Sequence, residues 1–185
     1  MNIELTTLSY SKYKIVLIND ENKKYLHQQF LNSDESDYFC NELTRVSNAR
    51  VDANDRRTRY GFYTLYEDQL AGLNLLGISN WEKKIGYTGV DVLPHLRGRG
   101  IAPATKPLLF YLGFELLKLE LIETGCLVSN LSSKRSIEKT KGFQYVGILK
   151  DYHQHEDGRL EDEYRYFITR PVWEKEYSSI QIYHS

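Results

Sequence analysis

Hydrophobic positions change their period along the chain, and the period predicts the elements. In the middle, residues 60–66 alternate weakly, residues 67–69 make a polar turn, and residues 70–78 return as an apolar run, which together read as a hairpin. Residues 84–93 (KIGYTGVDVL) form a third strand that Pro94 ends; its Gly86 and Gly89 mark a bulge or a close backbone approach. Apolar side chains then recur at 101, 105 (the Thr methyl), 108, 109, 112, 116 and 117, the spacing of one helix face. Pro107 inside that run removes one backbone bond and is expected to bend the helix. Residues 121–128 read as strand, Ser132 or Ser133 as the cap of a short helix stopping at Gly142, and residues 143–150 and 160–168 as two strands joined around Glu156-Asp157-Gly158. Nearer the start, residues 3–7 and 14–18 predict strands around the polar turn 9–12. Asp20 is placed to cap a helix through Phe30, residues 32–34 break the pattern, 34–46 predict a second helix, and 47–57 a polar loop.

Strands outnumber helices, and only the middle of the chain runs strand, helix, strand. The expected fold is therefore α/β of the α+β kind: a mixed, mostly antiparallel sheet of six to seven strands with about four helices on its faces.

Length and charge narrow the function. The 185 residues contain no Pro/Gly/Ser linker, repeat or low-complexity stretch, so residues 1–185 read as one domain. With 24 basic and 25 acidic residues the formal charge is −1, which excludes a nucleic-acid binder driven by bulk charge. The opening MNIELTTLSYSKYK has no apolar run behind a basic start, which argues against a secretory signal. The most apolar stretch, 108–117, is interrupted by Gly113 and Glu115 and is far short of the ~20 residues that span a bilayer, so no membrane partner is expected. Cys40 and Cys126 match no metal spacing and read as free thiols, so a cytoplasmic location and no metal are expected.

The most informative stretch is Leu93-Pro94-His95-Leu96-Arg97-Gly98-Arg99-Gly100-Ile101-Ala102, a strand running through a glycine-rich loop into a helix. The first N–H groups of a helix lack internal partners and carry the positive end of its dipole. Glycine lets an anion approach without a Cβ in the way, and Arg97 and Arg99 add charge. Pro103 has no N–H to satisfy. The arrangement suits a pyrophosphate. It is neither a dinucleotide fingerprint, since proline stands where a third glycine is needed, nor a Gly-Lys-Ser/Thr phosphate loop. Asn130-Leu131-Ser132-Ser133, then Glu138-Lys139 and Gly142-Phe143, follow the next strand.

In this order the residues resemble the GNAT acyltransferases. Arg97-x-x-Gly100-x-Ala102 is similar to that superfamily's Arg/Gln-x-x-Gly-x-Gly/Ala signature. The wider run through Asn130-x-x-Ser133 and Gly142-Phe143 resembles the branch that contains ribosomal-protein N-terminal acetyltransferases, with spermidine and antibiotic acetyltransferases among its relatives. The likeness is good from about residue 86 to 168. It implies a sheet with a splayed central pair, an acceptor-side half (1–80), an acetyl-CoA-binding half (81–170) and a C-terminal tail (171–185). It implies acetyl transfer from acetyl-CoA to a primary amine: a peptide N-terminus, a polyamine or an aminoglycoside-like amine. A non-catalytic coenzyme A-binding sensor is the alternative; a homodimer is compatible, and the tail 177–185 is expected either to pair with another chain or to fray.

By the same resemblance, backbone groups of Val90 and Val92 would pair with the pantetheine arm, and amides of Arg97, Gly98, Arg99, Gly100, Ile101 and Ala102 would bind the pyrophosphate. Asn130 would touch the pantetheine or orient the acceptor, and Ser133 would sit near the sulfur. The likeness has gaps. Many relatives carry a tyrosine acid four residues after the position of Ser133, where this chain has Ile137. Several carry a glutamate base on the strand before the loop, where Asp91 is the one carboxylate present. The catalytic candidates are therefore Ser133, as donor to the leaving sulfur, and His153, as base or as a solvent-facing hairpin residue. Acidic residues at Asp34, Glu35 and Asp37, and at 156–163, would form a rim that attracts a cationic amine, or ordinary surface.

Overall fold

The computed structural model describes residues 7–31, 35–48 and 50–184. Among these, nine strands form one sheet in the order β7-β8-β6-β5-β4-β3-β2-β1-β9. The strands are β1 (Thr7–Tyr10), β2 (Tyr13–Leu17), β3 (Arg59–Tyr66), β4 (Gln69–Asn80), β5 (Ile85–Val92), β6 (Leu121–Leu127), β7 (Gln144–Gln154), β8 (Leu160–Thr169) and β9 (Tyr183–His184). The helices are α1 (Asp20–Phe30), α2 (Ser36–Ser47), α3 (Ile101–Phe110), α4 (Leu131–Lys139) and α5 (Arg170–Glu176). All neighbouring strands are antiparallel except β5 and β6, which α3 connects. The mixed, mostly antiparallel sheet is the one expected, with more strands and one more helix.

The sheet divides two cores. Residues 71–78 of β4 are all buried, because this strand lies under helices on both faces. Leu73 and Leu75 point to α1 and α2, where they meet Leu26, Phe30, Phe39 and Leu43. Leu76 and Ile78 point to α3, where they meet Leu108, Leu109 and Leu112. Each fully buried leucine or phenylalanine here contributes about 1.5–3 kcal/mol.

Several boundaries differ from the sequence reading. The strand expected at 3–7 lies outside the described residues except for Thr7, and β1 runs to Tyr10 because Leu8 sits opposite Ile15, both fully buried. The helix cap is Asn19, not Asp20: its side chain accepts from the Asn22 N–H and the Asn22 side chain accepts from its own. Asn130, not Ser132 or Ser133, caps α4. After Pro107 the long helix turns into a π-helical segment, Tyr111–Leu116, with Leu117 N–H bonded to Leu112. The tail pairs within its own chain, Leu8 opposite His184.

Candidate functional site

The site begins where the sheet divides. β5 and β6 pair over three positions only, Ile85 with Leu121, Gly86 with Ile122 and Tyr87 with Glu123. Beyond them β5 continues on β4 and β6 on β8, leaving a fork. Thr124 Oγ1 donates to the Thr88 carbonyl at 3.1 Å and ties the apex. That bond shows the Thr88 backbone facing into the fork, and strand alternation puts the backbone groups of Val90 and Val92 on the same side.

The fork leads out to the glycine loop. A short 3-10 turn, Pro94–Leu96, ends with the Arg97 N–H donating to the Pro94 carbonyl at 3.2 Å. Gly98 and Gly100 then take φ of 79° and 77°. A Cβ on either would meet nothing within 4 Å, so it is the left-handed backbone and not crowding that favours glycine. Among the described residues no protein acceptor meets the N–H groups of Gly98, Arg99, Gly100, Ile101 or Ala102. Five open donors at the start of α3 can take a multiply charged anion.

The arginines divide their roles. Arg97 Nη1 and Nη2 stand 2.7 and 2.5 Å from the two Glu35 carboxylate oxygens, and its Nε donates to the Val92 carbonyl at 3.0 Å. Its amide and its side chain are thus both engaged within the protein, and its guanidinium holds Glu35 below the usual carboxylate range. Arg99 is exposed, and no carboxylate pairs with it among the described residues.

On the α3 and α4 side of the fork stand Thr88, Thr124, Cys126, Asn130, Ser133 and Lys106. Asn130 Oδ1 accepts from the Ser133 N–H at 2.9 Å. Burial pushes the Cys126 thiol up, while the neighbouring Ser133 hydroxyl pulls the other way. Ile137 is buried beside Cys126 and Tyr166. Lys106 Nζ is buried and donates to Thr88 Oγ1 at 2.8 Å; burial brings it down to about 7 against the opposing charge of Asp91.

The α2 side holds a different set. Tyr38 donates to Asp91 Oδ1 at 2.6 Å, and Arg45 Nη2 lies 4.0 Å from Asp91 Oδ2. Burial pushes Asp91 above the usual carboxylate range, with the Tyr38 hydrogen bond working against it. Glu123 and Glu163 lie 3.3 and 2.6 Å from Arg165, on strands flanking the fork. Lys106 and Tyr38 carried no signal in the sequence, since an isolated lysine or tyrosine on a helix reads as surface or filler.

His153 lies on the exposed part of β7, its ring 4.8 Å from that of His155. Strict alternation would put residues 151, 153 and 155 on one face, but the register slips between Leu149 and His153, and Asp151 takes φ 52°. His155 Nε2, not His153, reaches Glu161 Oε2, at 2.7 Å. Ser129 and then His155 hold the buried Glu161 down to about 2. No described contact joins His153 to Asp91, Lys106 or Ser133. Of the acidic rim, Asp34 lies outside the described residues, Glu35 is paired with Arg97, and Asp162 with Lys150. Among the described residues no group of three His, Cys, Asp or Glu side chains could hold a metal ion, and no helix is long and apolar enough to cross a membrane.

A β-fork feeding a loop of open amides defines a class of fold, and comparison with known proteins gives the same class. No protein-family model matches the chain. It is 28% identical over 137 residues to a probable N-acetyltransferase of Bacillus subtilis, YjcK, covering 72% of this chain and 75% of that one. It superposes with TM-score 0.65 and 17% identity on the Vibrio cholerae spermidine N-acetyltransferase in complex with CoA and spermine, covering 88% of this chain and 98% of the other. A probable acetyltransferase matches with TM-score 0.68 and 19% identity over 90% of this chain and 98% of its own. The chain shares its fold with these acetyltransferases.

Proposed function

We propose that this protein is an N-acetyltransferase that moves an acetyl group from acetyl-CoA to a primary amine by direct attack. The observation that carries this reading is the continuity between the open side of β5 and the five free amides at its end. A pantetheine arm carries amides and ends in a pyrophosphate, so it matches the two features in that order. Val90 and Val92 would hold the arm through their backbones, and the amides of residues 98–102 would hold the pyrophosphate, with Arg99 adding charge. The amide and guanidinium of Arg97 would brace the loop from behind.

Asp91 is the carboxylate best placed to take the proton of the incoming amine, since it stands on β5 and faces α2. This reading prefers Asp91 to His153 as base. Backbone N–H groups of β5 in the fork would polarise the thioester carbonyl; one preorganised donor of that kind is worth about 3 kcal/mol. Ser133, beside Cys126 at the start of α4, would donate toward the coenzyme A sulfur. The acceptor class is a polyamine or a peptide N-terminus, drawn by Asp91, Glu123 and Glu163. The free thiols Cys40 and Cys126 fit a cytoplasmic enzyme.

Thiol release from acetyl-CoA against spermidine, spermine, aminoglycosides and N-terminal peptides tests the reading, together with thermal shifts by acetyl-CoA and CoA. Ligand at 100 times Kd is expected to add about 2.7 kcal/mol. A shift with no thiol release on any amine would replace the enzyme by a coenzyme A sensor, and no shift at all would remove both. Ser133→Ala is expected to lower kcat several-fold with cofactor Kd unchanged.

A further inference from the structure

Lys106 is out of place for a structural residue. Its side chain comes from the second turn of α3 and ends, 5% exposed, at the apex of the fork. Its hydrogen-bond partner there is Thr88 Oγ1 at 2.8 Å, and among the described residues no carboxylate lies within ion-pair distance. The Phe143 ring stands 5.8 Å away. An ammonium has three donors, and leaving two of them dry is costly. A leucine or methionine at this position would pack between α3 and β5 without that cost, so the amine must be sought in what it does.

Thr88 is the first residue of β5 beyond the last β5–β6 pair. From Val92, beside the loop, to Thr88 the strand covers about 13 Å at 3.3 Å per residue. A thioester at the end of an arm laid along β5 from the loop therefore comes toward Thr88 and Lys106. On that side of the fork Cys126 is held as the thiol by burial, with Tyr166 of β8 beside it and Lys134 and Glu138 of α4 within reach of its charge. The charged group whose field reaches Lys106 is Asp91 of β5; the groups facing it from β6 and from the segment before β7 are Thr124 and Phe143.

We propose that Lys106, acting through the Thr88 hydroxyl or directly, delivers the proton that the departing coenzyme A thiolate takes up. This rests on the acetyl-transfer reading above. The amine nitrogen forms a bond to the acetyl carbon, the carbon–sulfur bond breaks with its electron pair on sulfur, and the sulfur receives a proton from the Lys106 ammonium. Lys106 is left neutral and regains a proton from solvent, while Asp91 takes the one shed by the acceptor. Burial has already brought Lys106 to about 7, so both of its states are accessible near neutral pH.

The test uses the full chain with acetyl-CoA and spermidine, or the panel amine that turns over fastest. Lys106→Met is expected to lower kcat at least thirtyfold, leave CoA affinity within threefold, and abolish the alkaline fall of kcat that the wild type shows as its lysine deprotonates. Lys106→Arg is expected to keep the charge but lose the titration. Carbon-13 NMR of the lysine ε-carbons in the wild type reads Lys106 directly and needs no variant to fold; a midpoint near 7 supports the proposal. An unaltered kcat or alkaline limb in Lys106→Met, or a lysine that titrates at its ordinary value, overturns it. Failure of the wild type to release thiol with any amine would instead overturn the acetyl-transfer reading.

Discussion

Arg97 and Glu35 face each other across 62 residues of chain, the two terminal guanidinium nitrogens on the two carboxylate oxygens, and so join the glycine loop to the start of α2. The pair is half exposed on each side, which puts its worth to stability below about 1 kcal/mol. Its larger effect is on charge: it withholds from the loop an arginine that stands next to the open amides.

Glu35→Gln is therefore expected to leave the melting temperature within a degree or two and to tighten CoA binding two- to fivefold, with a steeper salt dependence. Calorimetry at two ionic strengths measures it. Weaker binding would show that the pair shapes the loop more than it masks the charge.

Gly98→Ala and Gly100→Ala isolate backbone from packing. Each added methyl has open space around it, so the cost is the left-handed φ alone, about 1–2 kcal/mol per substitution. Denaturant titration is expected to return that amount. CoA affinity is expected to fall at least tenfold because the methyl stands among the amides.

Lys106 gives a stability prediction with a definite sign. Between pH 7 and 10.5 the unfolded chain holds a proton that the folded lysine has lost, so stability rises with pH across that window. The penalty is complete below pH 7. Lys106→Met is expected to stabilise the protein by something on the order of 2–5 kcal/mol at pH 6, with the gain fading toward pH 10. Thermal melts of both proteins at pH 6, 8 and 10 check this; a gain independent of pH would trace it to packing.

The base role proposed for Asp91 requires its ionised form. The hydrogen bond from Tyr38 favours the ionised form, so Tyr38→Phe is expected to move the acid limb of kcat/KM to higher pH. Asp91→Asn is expected to lower kcat/KM at least a hundredfold. An acid limb that stays in place in Tyr38→Phe would assign it to another group.

What the sequence made legible was local. A strand, a Gly-Arg-Gly turn and a helix are contiguous, and their open amides follow from residues 93–103 alone. The β3–β4 hairpin and the core face of α3 were legible for the same reason. The pairs that equip the fork were not. Tyr38 and Asp91 are 53 residues apart and Lys106 and Thr88 are 18 apart, and nothing in either local pattern marks them as neighbours. His153 shows the converse failure. Alternation assigned its face, and a register slip with one positive φ at Asp151 undid that assignment. The short strand β9 rests on two pairs with β1, too few to leave a period in the sequence.

A sheet normally exposes its unpaired rims to solvent, where they invite other chains and aggregation. Here β5 carries such a rim in the middle of the sheet, walled by β6 and by helices. A polypeptide strand pairs at a spacing of nearly 5 Å, and at the apex that place is already held by β6, tied to Thr88 through Thr124. A slender molecule with peptide-like groups has no such difficulty. On the acetyl-transfer proposal, the divided sheet turns what is elsewhere an aggregation hazard into a seat for a thin guest that mimics one strand.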